Sequence, residues 1–106
     1  MSIPFWQKDP DAPFATLLSV IAGSCHPEAW EDAYEDLQRI ARDHPDTPRM
    51  IRFKDELRRV IRDPSLVSRA DLSYAAVYSD GSAEKFLARL WRDLYPDEPL
   101  PDGRTG

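Results

Sequence analysis

Cys25 and His26 are a thiol and an imidazole side by side in sequence, and Cys25 is the single cysteine of the chain. A nucleophilic cysteine needs a histidine that reaches its sulfur, and usually a third group that orients the ring. Adjacent residues rarely point at each other, and no recognisable motif surrounds this pair. A free cysteine in such a connection packs as a small hydrophobe, so Cys25 is expected to be structural. His26 and His44 are the two histidines. They fall at opposite ends of one predicted helix, about 27 Å apart at a rise of about 1.5 Å per residue, which is too far to share a metal ion. His44 lies in the last helical turn, where a partly protonated ring suits the helix dipole.

Carboxylates are more plentiful. Glu28 and Asp32, and Glu31 and Glu35, are i, i+4 neighbours on the same predicted helix. Acid–base chemistry requires one carboxylate to be desolvated and its pKa raised. These four lie away from the apolar stripe and are expected to stay solvated and ionised. Like-charged i, i+4 pairs each weaken a helix by a few tenths of a kcal/mol. Two arrangements would offset that cost: a basic partner, or the arginine-rich segment that follows. Residues 49 to 62 hold Arg49, Arg52, Lys54, Arg58, Arg59 and Arg62 against Asp55 and Glu56. A short connection makes neighbouring helices antiparallel, so the two charged faces are able to neutralise one another.

The basic segment is not expected to read DNA. No helix-turn-helix spacing precedes it, and the whole chain carries a net charge of -5, where phosphate binding calls for a basic surface. Nucleic acid is therefore not an expected partner, whereas a basic protein is. GxGxxG, Walker, HExxH and GxSxG motifs are all missing. No cofactor, metal or catalytic residue is expected. Trp6, Trp30 and Trp91 read as core or cover residues.

The elements that must position these residues are punctuated by ten prolines, which fall almost entirely between apolar-periodic segments. Five helices are predicted. The first spans Pro13 to Ala22, with Phe14, Leu17, Leu18 and Ile21 as its stripe and Gly23 as its stop. The second spans Pro27 to about His44, with Trp30, Ala33, Tyr34, Leu37, Ile40 and Ala41 as its stripe and the acids on the other face. The third has Thr47 as N-cap and Pro48 at its first position. It ends near Arg62, and Met50, Phe53, Leu57, Val60 and Ile61 are its buried face. A fourth is capped by Ser68 and runs to Val77. A strand over Ser73 to Tyr78 is the alternative, and helix is preferred because no partner strand is visible. The fifth is capped by Ser82, buries Phe86, Leu87, Leu90, Trp91 and Leu94, and stops before Pro96.

These readings give one all-α domain of four to five helices over residues 1–106. Residues 11–95 form the helical core, and 1–10 and 97–106 are irregular termini. Trp30, Leu37, Phe53, Leu57, Phe86, Leu90 and Trp91 are its expected centre. One cysteine excludes an internal disulfide and a cysteine-based zinc site. No signal peptide is read at the N-terminus. The longest apolar run, Phe14 to Ala22, is far below the roughly 20 residues that span a bilayer. The expected location is the cytoplasm, with no membrane partner.

One stretch is more specific. Asp80-Gly81-Ser82, followed by Phe86-Leu87, Arg89-Leu90-Trp91 and Asp93-Leu94-Tyr95, resembles a DGS-x-x-x-FL-x-RLW-x-DLY signature. It is found in small bacterial immunity proteins of contact-dependent growth inhibition and related polymorphic-toxin systems. The Phe53 to Leu66 stretch is similar to the region that precedes that signature. The resemblance covers residues 50 to 95. It implies a non-enzymatic inhibitor that binds and neutralises a cognate toxin domain, often a nuclease, by covering its active site. The matched positions are cap and core positions, so the resemblance transfers no contact residue. Charge supplies the candidate contacts: Glu28, Glu31, Asp32 and Glu35, with Asp80 and the acidic tail beside them. Two other classes remain open, a helical adaptor that docks a peptide in an apolar groove and a small enzyme with a pocket at Cys25 or at a carboxylate of raised pKa.

Overall fold

The computed structural model describes residues 5–9, 11–25, 31–76 and 80–101. Over these the chain is all-α, with no strand among the described residues. The helices are α1 (Phe5–Lys8), α2 (Ala15–Cys25), α3 (Ala33–Asp43), α4 (Pro48–Arg62), α5 (Arg69–Ala75) and α6 (Ala83–Leu94). A 3₁₀ turn, Pro64–Leu66, joins α4 to α5.

Three helix starts follow directly from hydroxyl caps. The hydroxyl oxygens of Thr47, Ser68 and Ser82 accept from the backbone N–H groups of Met50, Asp71 and Lys85 at 3.3, 3.0 and 3.2 Å. Each satisfies a donor that the first helical turn leaves open. Pro48 adds its fixed φ at a position where no N–H is needed. The segment after Ser68 is helical from Arg69 to Ala75, which displaces the strand alternative. Its expected end at Val77 lies outside the described residues. Ahead of α6, Gly81 takes φ +99°, a left-handed geometry that favours glycine and turns the chain into the cap.

Elsewhere the structure corrects the boundaries. Gly23 does not stop the first long helix. It lies inside α2, which runs on to Cys25, because glycine ends a helix only when it takes the left-handed conformation. Phe14 is not in that helix either. It stands just before it with φ +66°. The helix expected from Pro27 starts at Ala33, and Glu31 and Asp32 form the turn before it. Trp30 lies outside the described residues. Residues 5–8, read as irregular, form a helical turn that buries Trp6, whose ring meets Tyr74 edge-on at 5.8 Å between centroids.

α2 is the hub of the packing. It contacts α1, α3, α4 and α5, while α6 closes the molecule against α3 and α4. Leu17, Leu18, Ile21, Leu37, Phe53, Leu57, Val60, Phe86, Leu87, Leu90 and Trp91 form one continuous core. Six of the seven residues expected at its centre are buried, and the seventh is Trp30. Residues after α6 fold back as a strap. Trp91 Nε1 donates to the Glu98 carbonyl at 3.4 Å. The Lys54 ammonium pairs with the Glu98 carboxylate and lies 4.7 Å from the centre of the Tyr95 ring.

Candidate functional site

Cys25 closes α2 and is half-buried. Burial pushes its thiol up to about 11, with nearby Arg89 lowering it in part. At neutral pH the sulfur is a protonated thiol, the form that is neither nucleophile nor metal ligand. His26 lies outside the described residues, and His44 is exposed at the C-cap of α3. Among the described residues, no three histidine, cysteine or acidic side chains stand close enough to hold a metal ion. No described helix is long and apolar enough to cross a membrane.

The acidic candidates have a different setting from the one expected. Glu28 lies outside the described residues. Glu31 and Asp32 occupy the turn before α3, and Glu35 lies in its first helical turn. All three are exposed. Carboxylates gathered at a helix N-terminus face the positive end of the dipole, which is stabilising. Part of the repulsion expected along a helical face is thus relieved by the helix itself.

Among the described residues no ion pair joins Glu31, Asp32 or Glu35 to α4. Asp36 pairs with Arg39 of its own helix at 2.8 Å. On α4, Arg58 and Arg59 both reach Asp55. α3 leans on α2 and α6 instead of lying along α4. That leaves a cleft of about 270 Å³ between α2, α3 and the start of α4. Val20, Leu37, Ile40 and Met50 line it with Gly23, while Asp36 and Arg49 stand at its edges. Ile40 is 37% exposed. Among the described residues, a Cβ at Gly23 would meet no atom within 4 Å. The acidic turn leads directly into Ala33, which also lines the cleft.

Asp80 is placed apart from this group. Its two oxygens accept from Arg89 Nε and Nη2 at 2.7 and 3.1 Å. The Arg89 hydrogen bonds hold its carboxyl below the usual carboxylate range. Arg89 also approaches Asp93 at 3.8 Å, and Asp93 accepts from the Tyr34 hydroxyl at 2.7 Å. Burial, followed by that hydrogen bond, raises the Tyr34 phenol. The signature residues outside cap and core thus tie the turn before α6 to α3.

Glu56 is the residue whose setting the sequence did not disclose. It is 6% exposed. Its carboxylate accepts from the backbone N–H groups of Phe14 at 2.7 Å and Leu17 at 2.9 Å. A side chain of α4 therefore caps the start of α2. Arg52 backs it at 3.4 Å and donates onward to the carbonyls of Asp11 and Ala12. A helix start without a Ser, Thr, Asp or Asn of its own was the available signal; nothing local named the donor's partner.

Comparison with known proteins finds no matching family model, no matching curated protein and no matching solved structure.

Proposed function

We propose that this chain is a non-enzymatic immunity protein that binds a cognate, basic bacterial toxin domain in the cytoplasm and covers its active site. The observation that carries this reading is the exposed acidic turn Glu31-Asp32 with Glu35, next in sequence to Ala33 and Asp36 of an apolar cleft. Exposed carboxylates steer a basic partner and speed its association, and an adjoining apolar surface holds it once docked. The signature over Asp80 to Tyr95 supports the same reading. Glu28 belongs to the proposed contact by sequence. Asp80, closed onto Arg89, stands apart from that turn and is a secondary contact.

The test pairs the chain with the C-terminal domain encoded by the reading frame upstream of it. Co-expression protects cells from that domain. Protection survives the triple variant Cys25→Ser, His26→Asn, His44→Asn at equal protein level. Glu31→Lys with Glu35→Lys slows association and flattens its salt dependence, with the melting midpoint little changed. A wild-type chain that neither binds nor protects refutes the assignment.

A second reading, a helical adaptor that docks a peptide, is favoured by the cleft itself. It predicts binding without protection.

A further inference from the structure

We infer that residues 96–101 form a salt-sensitive latch, with Lys54 as its catch, which opens as a unit of its own and uncovers Trp91 and Tyr95 while the helical core stays folded. The latch does not depend on what the chain binds.

Its backbone holds it weakly. The strap contains Pro96, Pro99 and Pro101, which have no N–H to donate. Among the described residues it makes one backbone–backbone hydrogen bond, from the Glu98 N–H to the Tyr95 carbonyl at 3.1 Å. That bond closes a local turn and ties the strap to no other helix. Pro96, Asp97, Glu98 and Pro99 are exposed. The strap and α3 share the lining of a hollow of about 560 Å³, with Gln38, Ala41 and Arg42 on the α3 side. A segment with few buried contacts and few backbone bonds opens at a lower free energy than the helices beneath it.

Side chains supply the fastening, and most of it converges on Glu98. The Lys54 ammonium pairs with its carboxylate and lies 4.7 Å from the centre of the Tyr95 ring. One cation is thus held between the end of α6 and the strap. The Trp91 indole N–H donates to the Glu98 carbonyl at 3.4 Å, and Leu100 rests partly buried on the core. The Lys54 and Glu98 side chains are 28% and 44% exposed. An ion pair so open to solvent is screened as ionic strength rises.

The covered groups are of another kind. Trp91 and Tyr95 are 2% and 7% exposed, with ring centroids 4.8 Å apart. Burial, followed by the Glu98 carboxylate, raises the Tyr95 phenol to about 12. Lifting the strap removes the indole's acceptor, the lysine's carboxylate and the cover of both rings together.

The test follows hydrogen exchange at the Trp91 indole N–H and the Leu90 amide of the isotopically labelled full chain, at about 0.02 M and about 0.5 M sodium chloride. Each rate is divided by that of the same group in an unstructured peptide at the same salt. The indole is expected to be at least about tenfold less protected than Leu90 in the middle of α6. High salt is expected to speed the indole by about three- to fivefold and to leave Leu90 behind. Lys54→Met keeps the aliphatic stem and removes the charge. It is expected to speed the indole by a similar factor at low salt and to abolish the salt response, and Glu98→Gln to do the same. Lys54→Arg, which keeps the cation, is expected to restore protection. Equal protection of the indole and Leu90 at both salts would mean that the strap opens only with the whole fold. Indole exchange unmoved by salt, by Lys54→Met and by Glu98→Gln would mean that the fastening is not ionic. Either result overturns the latch.

Discussion

At the residue scale, Glu56 joins two parts of the fold through one side chain. Its carboxylate serves two backbone N–H groups at the start of another helix while it is itself nearly fully buried. Glu56→Ala leaves both donors without that acceptor and is expected to cost about 2–4 kcal/mol, read from urea denaturation. Glu56→Gln keeps one carbonyl oxygen and is expected to lose less. A loss under about 0.5 kcal/mol for the alanine variant would show that water replaces the cap at no expense. Cys25 gives a chemical test of its surroundings. Burial is the main cause of its raised thiol pKa, and the folded value of about 11 exceeds the ordinary 9.0. The thiolate fraction at pH 8 therefore falls by roughly a hundredfold, and alkylation by iodoacetamide slows in proportion. Because the folded value is the higher one, the neutral thiol's contribution to stability is complete below pH 9 and is lost as pH rises towards 11. Alkylation of the native chain at the rate of a free peptide thiol would contradict this burial.

At the scale of elements, Gly23 separates helix propensity from packing. Gly23→Ala adds a methyl group into open space within α2 and is expected to stabilise the chain by about 0.5–1 kcal/mol, seen as a higher urea midpoint. A lower midpoint would mean that the glycine serves the fold after all. The same position explains why some boundaries were legible and others were not. Thr47-Pro48, Ser68 and Ser82 act through atoms within three residues of themselves, so their type and place were enough to locate three helix starts. Gly23 and Phe14 take conformations decided by distant partners or by none, and local rules misplace both. Glu31 and Asp32 lie within the span that the apolar spacing marks as helix, yet form a turn before α3. Periodicity alone cannot separate those states. The acidic cluster was visible in the sequence as charge. The cleft was not, because its lining is brought together from α2, α3 and α4 only by the tertiary fold.

At the scale of the molecule, a single core runs from Trp6 to Tyr95, and its radius of gyration of 13.1 Å is close to the roughly 13 Å of a compact chain of about 100 residues. Trp91 sits where α6, the Lys54 side chain of α4 and the C-terminal strap meet, at 2% exposure. Trp91→Ala is expected to lower stability by about 3–5 kcal/mol. Backbone dichroism and the fluorescence of the remaining tryptophans should report one coincident transition. Two separated transitions, or a loss below about 1 kcal/mol, would place Trp91 outside a shared core. The long reach from Glu56 to Phe14 and Leu17, across 42 and 39 residues, also governs the order of assembly. A chain made from its N-terminus exposes the start of α2 well before position 56 exists. Until α4 is synthesised and docked, the two N–H groups at the start of α2 are without this acceptor, so the cap that closes the first long helix arrives only with the second half of the chain.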